Sequence, residues 1–220
     1  MTNVYGTPEK TSMKTQLFRI AIQALQKEGY TVERVPGSGK SSVRRITKNG
    51  KSRVVSIRTS QDTWIAFPRT EGDKKWRTLD EVDAVVPVSV DDRENPRFAK
   101  VHLIDGDEVR ARFNRAYKAR MDAKHSIPVG RGVWVSLYLP EANDPVSHIG
   151  AGMGLKFPPI ATVPLSSAPI AVAAVTERDH DDQPTERPTD DTPLSIAEAK
   201  RRLAITFGVP PANIKITVEA

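Results

Sequence analysis

The chain has 220 residues, a formal net charge of +6 and no cysteine, which excludes disulfide bonds, thiolate zinc ligands and a cysteine nucleophile. Its length is typical of one main domain with additions. The N-terminal residues lack the apolar core of a signal peptide, and no apolar run approaches the roughly 20 residues of a membrane span. We therefore expect a cytoplasmic protein that does not enter a membrane.

The positive charge is concentrated near the N-terminus. Residues 1–60 contain 12 lysines and arginines against 3 acidic residues, whereas residues 61–175 are balanced and residues 176–192 contain 7 acids against 2 basic residues. Basic residues grouped on neighbouring elements are typical of a surface that binds phosphates, although a merely solvated basic face has the same composition.

The first predicted elements are an amphipathic helix over residues 12–27, ended by Gly29, and four strands over residues 30–35, 42–47, 52–59 and 63–68. Asn49 and Gly50 predict a tight hairpin turn because both tolerate positive φ. The order predicts a helix followed by an antiparallel meander.

Further strands are predicted over residues 82–90, 99–104 and 132–139. Pro87 predicts a bulge or an edge position in the first of these, because proline cannot donate to a ladder. Between the strands predicted over residues 99–104 and 132–139, Asp105 and Glu108 form the pattern of a capping box. This pattern predicts a helix, with arginines and lysines on its outer face. The fold class is therefore α/β (α+β), with a central mixed sheet of about six to seven strands flanked by helices over residues 1–155.

The rest of the chain divides into a linker and a small module. Residues 156–193 are rich in proline, alanine and acids without a sustained period, which predicts a disordered linker. Residues 194–220 predict a helix and one strand, too small to hold a core alone. We expect this module to dock on a partner, on a second copy or on the main domain through Ile196, Leu203 and Phe207.

Several motifs that carry chemistry elsewhere are incomplete here. Residues 37–42 contain Gly-Lys-Ser, but Arg34 stands where a phosphate-binding loop needs its first glycine, and the segment joins two strands. The four histidines show no spacing typical of metal ligands, so each is expected to be a surface or strand residue. We predict no cofactor, no metal site and no catalytic residue of these types.

The segments VVSIRTS (54–60), WIAFP (64–68), VDAVVPVSV (82–90) and AKVHLI (99–104), with the helices around them, resemble the restriction-endonuclease-like, PD-(D/E)XK, superfamily in layout over about residues 13–125. Active members place an acid on the second strand and Glu-x-Lys on the third, where carboxylates hold a metal that activates water. This chain has no acid on its second strand, and Ser56 and Arg58 occupy the Glu-x-Lys positions. A serine is a poor magnesium ligand, and an arginine cannot act as a base.

The resemblance therefore implies a pseudo-nuclease that binds DNA or RNA without cutting it. Its expected phosphate contacts are Lys40, Arg44, Arg45, Arg53 and Arg58. One alternative is an active metal-dependent nuclease with a displaced site, for which Glu28, Glu33 and Asp62 are the nearby acids. Another is an adaptor or antitoxin-like protein that uses the C-terminal module to bind a protein partner.

Overall fold

The computed structural model describes residues 8–36, 42–70, 74–127, 132–165, 196, 200 and 213–215. For residues 8–11 it describes the backbone only. The chain divides into two compact units, Met1–Thr185 and Glu186–Ala220. The first unit contains the following elements: α1 (Pro8–Lys27), β1 (Thr31–Arg34), β2 (Val43–Lys48), β3 (Lys51–Ser60), β4 (Trp64–Phe67), β5 (Ala84–Val90), β6 (Phe98–Val101), β7 (Ile104–Asp105), α2 (Gly106–Asp122), β8 (Val133–Ser136), α3 (Met153–Lys156) and β9 (Ala161–Pro164).

The main sheet is mixed and has seven strands, which confirms the predicted fold class. Its order is β1-β2-β3-β5-β6-β9, with β7 also paired to β5. The pair β3–β5 is parallel, and the other pairs are antiparallel. The meander of β1, β2 and β3 therefore forms as predicted, and β5 continues the sheet beyond it.

Two apolar clusters lie on opposite faces of this sheet because successive side chains of a strand alternate. On β5, Ala84, Val86 and Val88 pack with α1, whereas Val85 packs in the cluster that contains α2. The buried stripe of α1 has helical spacing and consists of Leu17, Ile20, Ala21, Ala24 and Leu25. The sheet thus separates a layer built on α1 from a layer built on α2.

The predicted fourth strand does not belong to the meander. β4 pairs with β8 in a separate two-stranded sheet, so the strand predicted over 132–139 also lies outside the main sheet. All four residues of β4 are buried. The chain leaves β3 through a turn in which Asp62 Oδ1 accepts from the Trp64 N–H at 3.2 Å, and Thr63 has a φ of 67°. Because the side chains of β4 are buried on both faces, β4 fits better in a separate inner layer than at the exposed edge of the main sheet.

Pro87 lies in an interior strand, so the predicted edge position is wrong. A bulge is also absent, because Val85↔Ile104 and Val88↔Val101 keep one register across the proline. β6 and β7 therefore form one line of chain along β5. This line is interrupted at His102 and Leu103, and His102 lies opposite Pro87. The interruption has a simple cause, since proline has no N–H to give to its neighbour. The ladder still keeps the bond from the His102 N–H to Pro87 O at 2.9 Å.

α2 begins as predicted at Asp105, whose side chain accepts from the Asp107 N–H at 3.0 Å. The second half of the predicted capping box does not form. Glu108 instead accepts from Arg112 Nε at 2.9 Å and from Lys156 Nζ at 3.1 Å. Arg112 is buried, in contrast to its predicted place on an outer face, because it binds the segment that leads into α3.

The folded part of the first unit continues past the predicted boundary at residue 155. β9 pairs with β6 through Ala161↔Val101 and the three pairs that follow. Most of the predicted linker falls outside the described residues. In the second unit Ile196 is helical and exposed, and Leu203 and Phe207 are outside the described residues, so docking through these three stays a prediction.

Candidate functional site

The two adjacent arginines of β2 point to opposite faces of the sheet. Arg44 lies on the α1 side, buried, with its guanidinium carbon 5.0 Å from the centre of the Phe18 ring. Arg45 is exposed on the other face, directly opposite Glu33 of β1. The prediction that both contact phosphate overlooked this alternation, and of the pair only Arg45 is presented to solvent.

The two predicted arginines of β3 are also used within the fold. Arg53 is partly exposed and donates to Asp105 Oδ2 at 2.8 Å and to Asp83 O at 2.9 Å. Arg58 has no exposed surface, and its guanidinium carbon lies 4.3 Å from the centre of the Phe67 ring. Lys40 lies outside the described residues. The predicted phosphate-binding residues therefore do not form one continuous surface in the described part of the chain.

A different basic group forms at the end of the β2–β3 hairpin, and we call it the lysine end. It consists of Lys27 in the last turn of α1 with Lys48 and Lys51, which are directly opposite each other beside the Asn49-Gly50 turn. Lys48 Nζ donates to Glu28 O at 2.6 Å, which places the hairpin against the end of α1. Sequence reasoning predicted the hairpin correctly but did not use the register that it imposes on its flanking lysines.

Lys27 and Lys51 are exposed, whereas Lys48 is half-buried and contributes to packing. The Lys48 ammonium also lies 5.0 Å from the centre of the Tyr30 ring. The Lys48 ammonium therefore provides a hydrogen-bond donor for the Glu28 carbonyl, at the C-terminal and negative end of the α1 dipole. The lysine end thus combines one structural lysine with two lysines presented to solvent.

The positions that the nuclease resemblance assigns to Glu-x-Lys lie inside the protein. Ser56 and Arg58 both have 0% exposure, and Ser56 Oγ has no hydrogen-bond partner among the described residues. They point toward the face that carries α2 and the β4–β8 sheet. Both positions therefore belong to a packed layer rather than to an open cleft.

The three acids considered for a displaced centre lie on separate elements. Glu28 follows α1, Glu33 lies on β1, and Asp62 is in the β3–β4 turn, where it accepts from Ser60 Oγ at 3.0 Å. Among the residues that the structure describes, no three histidines or acids are grouped closely enough to hold a metal ion. The geometry does not assemble these acids into one site.

A buried polar network that the sequence did not reveal links β5, β6 and β8. His102 lies in the gap between β6 and β7 and has no exposed surface. Its Nδ1 is 2.8 Å from Phe157 O, and its Nε2 is 2.9 Å from the Tyr138 hydroxyl oxygen. The same hydroxyl is 3.0 Å from Ser89 Oγ. His102 was predicted to be an ordinary surface or strand residue, and no spacing in the sequence indicates its contacts.

The environment of this network keeps its members neutral. Burial lowers the pKa of His102, the carbonyl of Phe157 opposes that shift, and the positive charge of Lys100 adds to it. Burial raises the pKa of Tyr138, against the hydrogen bond from Ser89. Lys100 Nζ lies 5.0 Å from the centre of the Tyr138 ring. The network can therefore act as a chain of neutral hydrogen bonds with one titratable imidazole.

Comparison with protein-family models, with curated proteins and with solved structures finds no match for this chain. Within the described ranges, no helix is both long and apolar enough to cross a membrane. The function must therefore be inferred from the geometry of the chain itself.

Proposed function

We propose that this protein binds nucleic acid without cutting it, through phosphate contacts made by the lysine end and by Arg45. The observation that carries the proposal is the exposure of Lys27 and Lys51 beside the hairpin turn, where Lys48 holds the hairpin against the end of α1. Two exposed ammonium groups at this end suit the phosphates of a polyanion.

The charge around these residues supports a phosphate ligand. Residues 1–60 have nine more basic than acidic residues, 12 against 3. Glu28 follows Lys27 in the chain, and Glu33 lies directly opposite Arg45 across β1 and β2. Lysines bind phosphate as flexible point charges, which positions a backbone without reading its sequence. We therefore expect weak, salt-dependent binding with little sequence preference.

The layout supports the nuclease-like part of the proposal. A helix, a three-stranded meander and a parallel strand follow each other in α1, β1–β3 and β5, with α2 on the opposite face. The burial of Ser56 and Arg58 supports the absence of cleavage at this place, since neither position is open to a scissile phosphate. The proposal is thus a nuclease-like scaffold in which binding has moved to the hairpin end.

Binding is tested by fluorescence anisotropy of labelled single-stranded DNA, double-stranded DNA and RNA over a range of salt concentrations. Lys51→Glu and Arg45→Glu should each weaken binding and reduce the salt slope by about 0.7 to 0.9 for every phosphate that the variant no longer neutralises. The matched controls are Lys118→Glu and Arg93→Glu, which make the same charge changes at exposed positions elsewhere.

The controls separate a local contact from the effect of net charge. Equally weakened binding in Lys51→Glu and Lys118→Glu would mean that binding follows overall charge and that the lysine end is not the site. Plasmid incubated with Mg²⁺ or Mn²⁺ should stay intact. Cleavage that is abolished by Glu33→Gln or Asp62→Asn would replace the proposal with a nuclease that has a displaced centre.

A further inference from the structure

His102 joins three parts of the first unit at one point. Its backbone N–H bonds to β5 at Pro87 O, and its Nε2 meets Tyr138 just after β8. Its Nδ1 meets Phe157 O, at the start of the segment that leads into β9. This segment, residues 157–165, forms one edge of the main sheet. A single imidazole therefore holds an edge segment to the interior.

The partners fix the protonation state of the ring. A carbonyl oxygen can only accept, so the hydrogen of neutral His102 lies on Nδ1 and points at Phe157 O. Nε2 then accepts from the Tyr138 hydroxyl. The Tyr138 oxygen in turn accepts from Ser89 Oγ. With His102 neutral, each hydrogen bond in this network therefore has one donor and one acceptor.

We propose that His102 is a proton-sensitive latch on residues 157–165. A second proton on the ring must sit on Nε2, where it meets the hydrogen of the Tyr138 hydroxyl. The hydroxyl must then reverse, and the new charge remains buried. Opening the edge segment brings water to the ring and removes the cost of the buried charge, so protonation favours release of the segment.

The charges around the ring favour release over retention of the buried imidazolium. From β6, Lys100 places a positive charge near the imidazole. Asp91, after β5, acts on Tyr138, and its carboxylate accepts from the N–H groups of Arg97 and Phe98 at 2.9 Å each. Asp91 is therefore engaged in its own loop and does not neutralise the ring.

Prolines reduce the number of hydrogen bonds that the segment can donate to the sheet. Pro158, Pro159 and Pro164 have no N–H to donate. Outside the β6–β9 ladder, its backbone bonds into β6 and the loop before it include Ile160 N–H to Val101 O at 2.8 Å and Leu165 N–H to Arg97 O at 2.7 Å. An edge segment whose prolines cannot donate can open without unfolding the unit.

The sign of the pH effect follows from the lowered pKa of His102. The segment stays attached at pH values above the ordinary histidine pKa of about 6.5, where both states of the ring are neutral. As the pH falls below that value, the open state takes up a proton first. Opening becomes more favourable by about tenfold for each pH unit, until the pH reaches the lowered pKa of the closed state.

The test is hydrogen exchange by mass spectrometry on the full chain at about pH 7.5 and about pH 5.5, a window that spans the ordinary histidine pKa. Rates are corrected for intrinsic exchange. Peptides that cover residues 157–165 should exchange about tenfold faster at the lower pH, whereas β3 should not change. His102→Gln should remove the pH dependence, and His125→Gln, at an exposed position, should keep it.

Tyr138→Phe keeps the titrating ring and removes the donor to its neutral form. Exchange of the segment should therefore rise at both pH values, while acid still accelerates it because His102 still titrates. Three results overturn the latch: equal protection of the segment at both pH values, the same acid response in His102→Gln, or loss of the acid response in Tyr138→Phe.

Discussion

Replacement of Arg112 by alanine should destabilise the first unit more than the same replacement of Arg115, its neighbour on α2. The side chain is 6% exposed and bonds to Glu108 Oε1 at 2.9 Å and to Gly150 O at 3.3 Å. Its Nη1 also donates to Ala151 O, and Glu141 lies 3.6 Å away. Arg112 thereby fastens the segment before α3 to the helix.

The magnitude follows from what the truncation leaves behind. Two carbonyl oxygens in buried residues lose a donor, and each unpaired acceptor costs about 1 to 3 kcal/mol. Glu108 keeps Lys156 as a partner at 3.1 Å, so its charge is not left alone. We expect a loss of about 3 kcal/mol, which for a unit of this size lowers the Tm by about 6 to 12 °C.

Arg115→Ala is the matched control, because Arg115 lies on the same helix and binds the same acid. Its side chain is 48% exposed and holds Glu141 at 3.0 Å. An exposed pair of this kind contributes about 1 kcal/mol at most. Thermal unfolding followed by circular dichroism measures both variants. Equal falls in Tm would refute the argument that the buried carbonyls, and not the ion pairs, determine the cost.

Two further predictions concern glycine and serine positions around the polar network. Gly154→Ala should lower the Tm, because its Cβ would lie 2.5 Å from Tyr138 Cε1 and 3.0 Å from Leu137 O; an unchanged Tm would show that the Tyr138 ring can move away. Ser56→Ala should leave the Tm and the chemical-denaturation midpoint unchanged or raise them, because the Ser56 hydroxyl is buried without a partner among the described residues. A clear fall in the chemical-denaturation midpoint would show that the hydroxyl makes a stabilising hydrogen bond.

The sequence predicted the secondary structure well where a pattern is local. The stripe of α1, the Asn49-Gly50 turn and the Asp105 cap each depend on a few neighbouring residues, and all three form. The partners of the strands depend on distant residues, and there the predictions were less accurate. The run at residues 64–67 has the composition of a sheet strand, but nothing local indicates that it pairs with β8.

The predicted binding residues show the same limit. Counting charges identifies a basic region but does not assign each residue to a face. The alternation of β2 sends Arg44 under α1 and Arg45 to solvent, and the burial of Arg58 depends on Phe67 from a strand in another sheet. The pairing of Lys48 with Lys51, by contrast, could have been predicted from the hairpin register alone, since a two-residue turn places its flanking residues opposite each other.

Pro87 explains why a histidine is buried at the centre of this fold. It lacks the N–H that an unbroken ladder would give to the strand opposite, and the interruption falls at His102. Because the register continues across the gap, His102 keeps the parity of Lys100 and faces the same side as Ser89. Tyr138 lies on that side and is within hydrogen-bond distance of both. The proline that is unfavourable in a strand by local rules therefore places the break in the ladder beside the titratable group of the proposed latch.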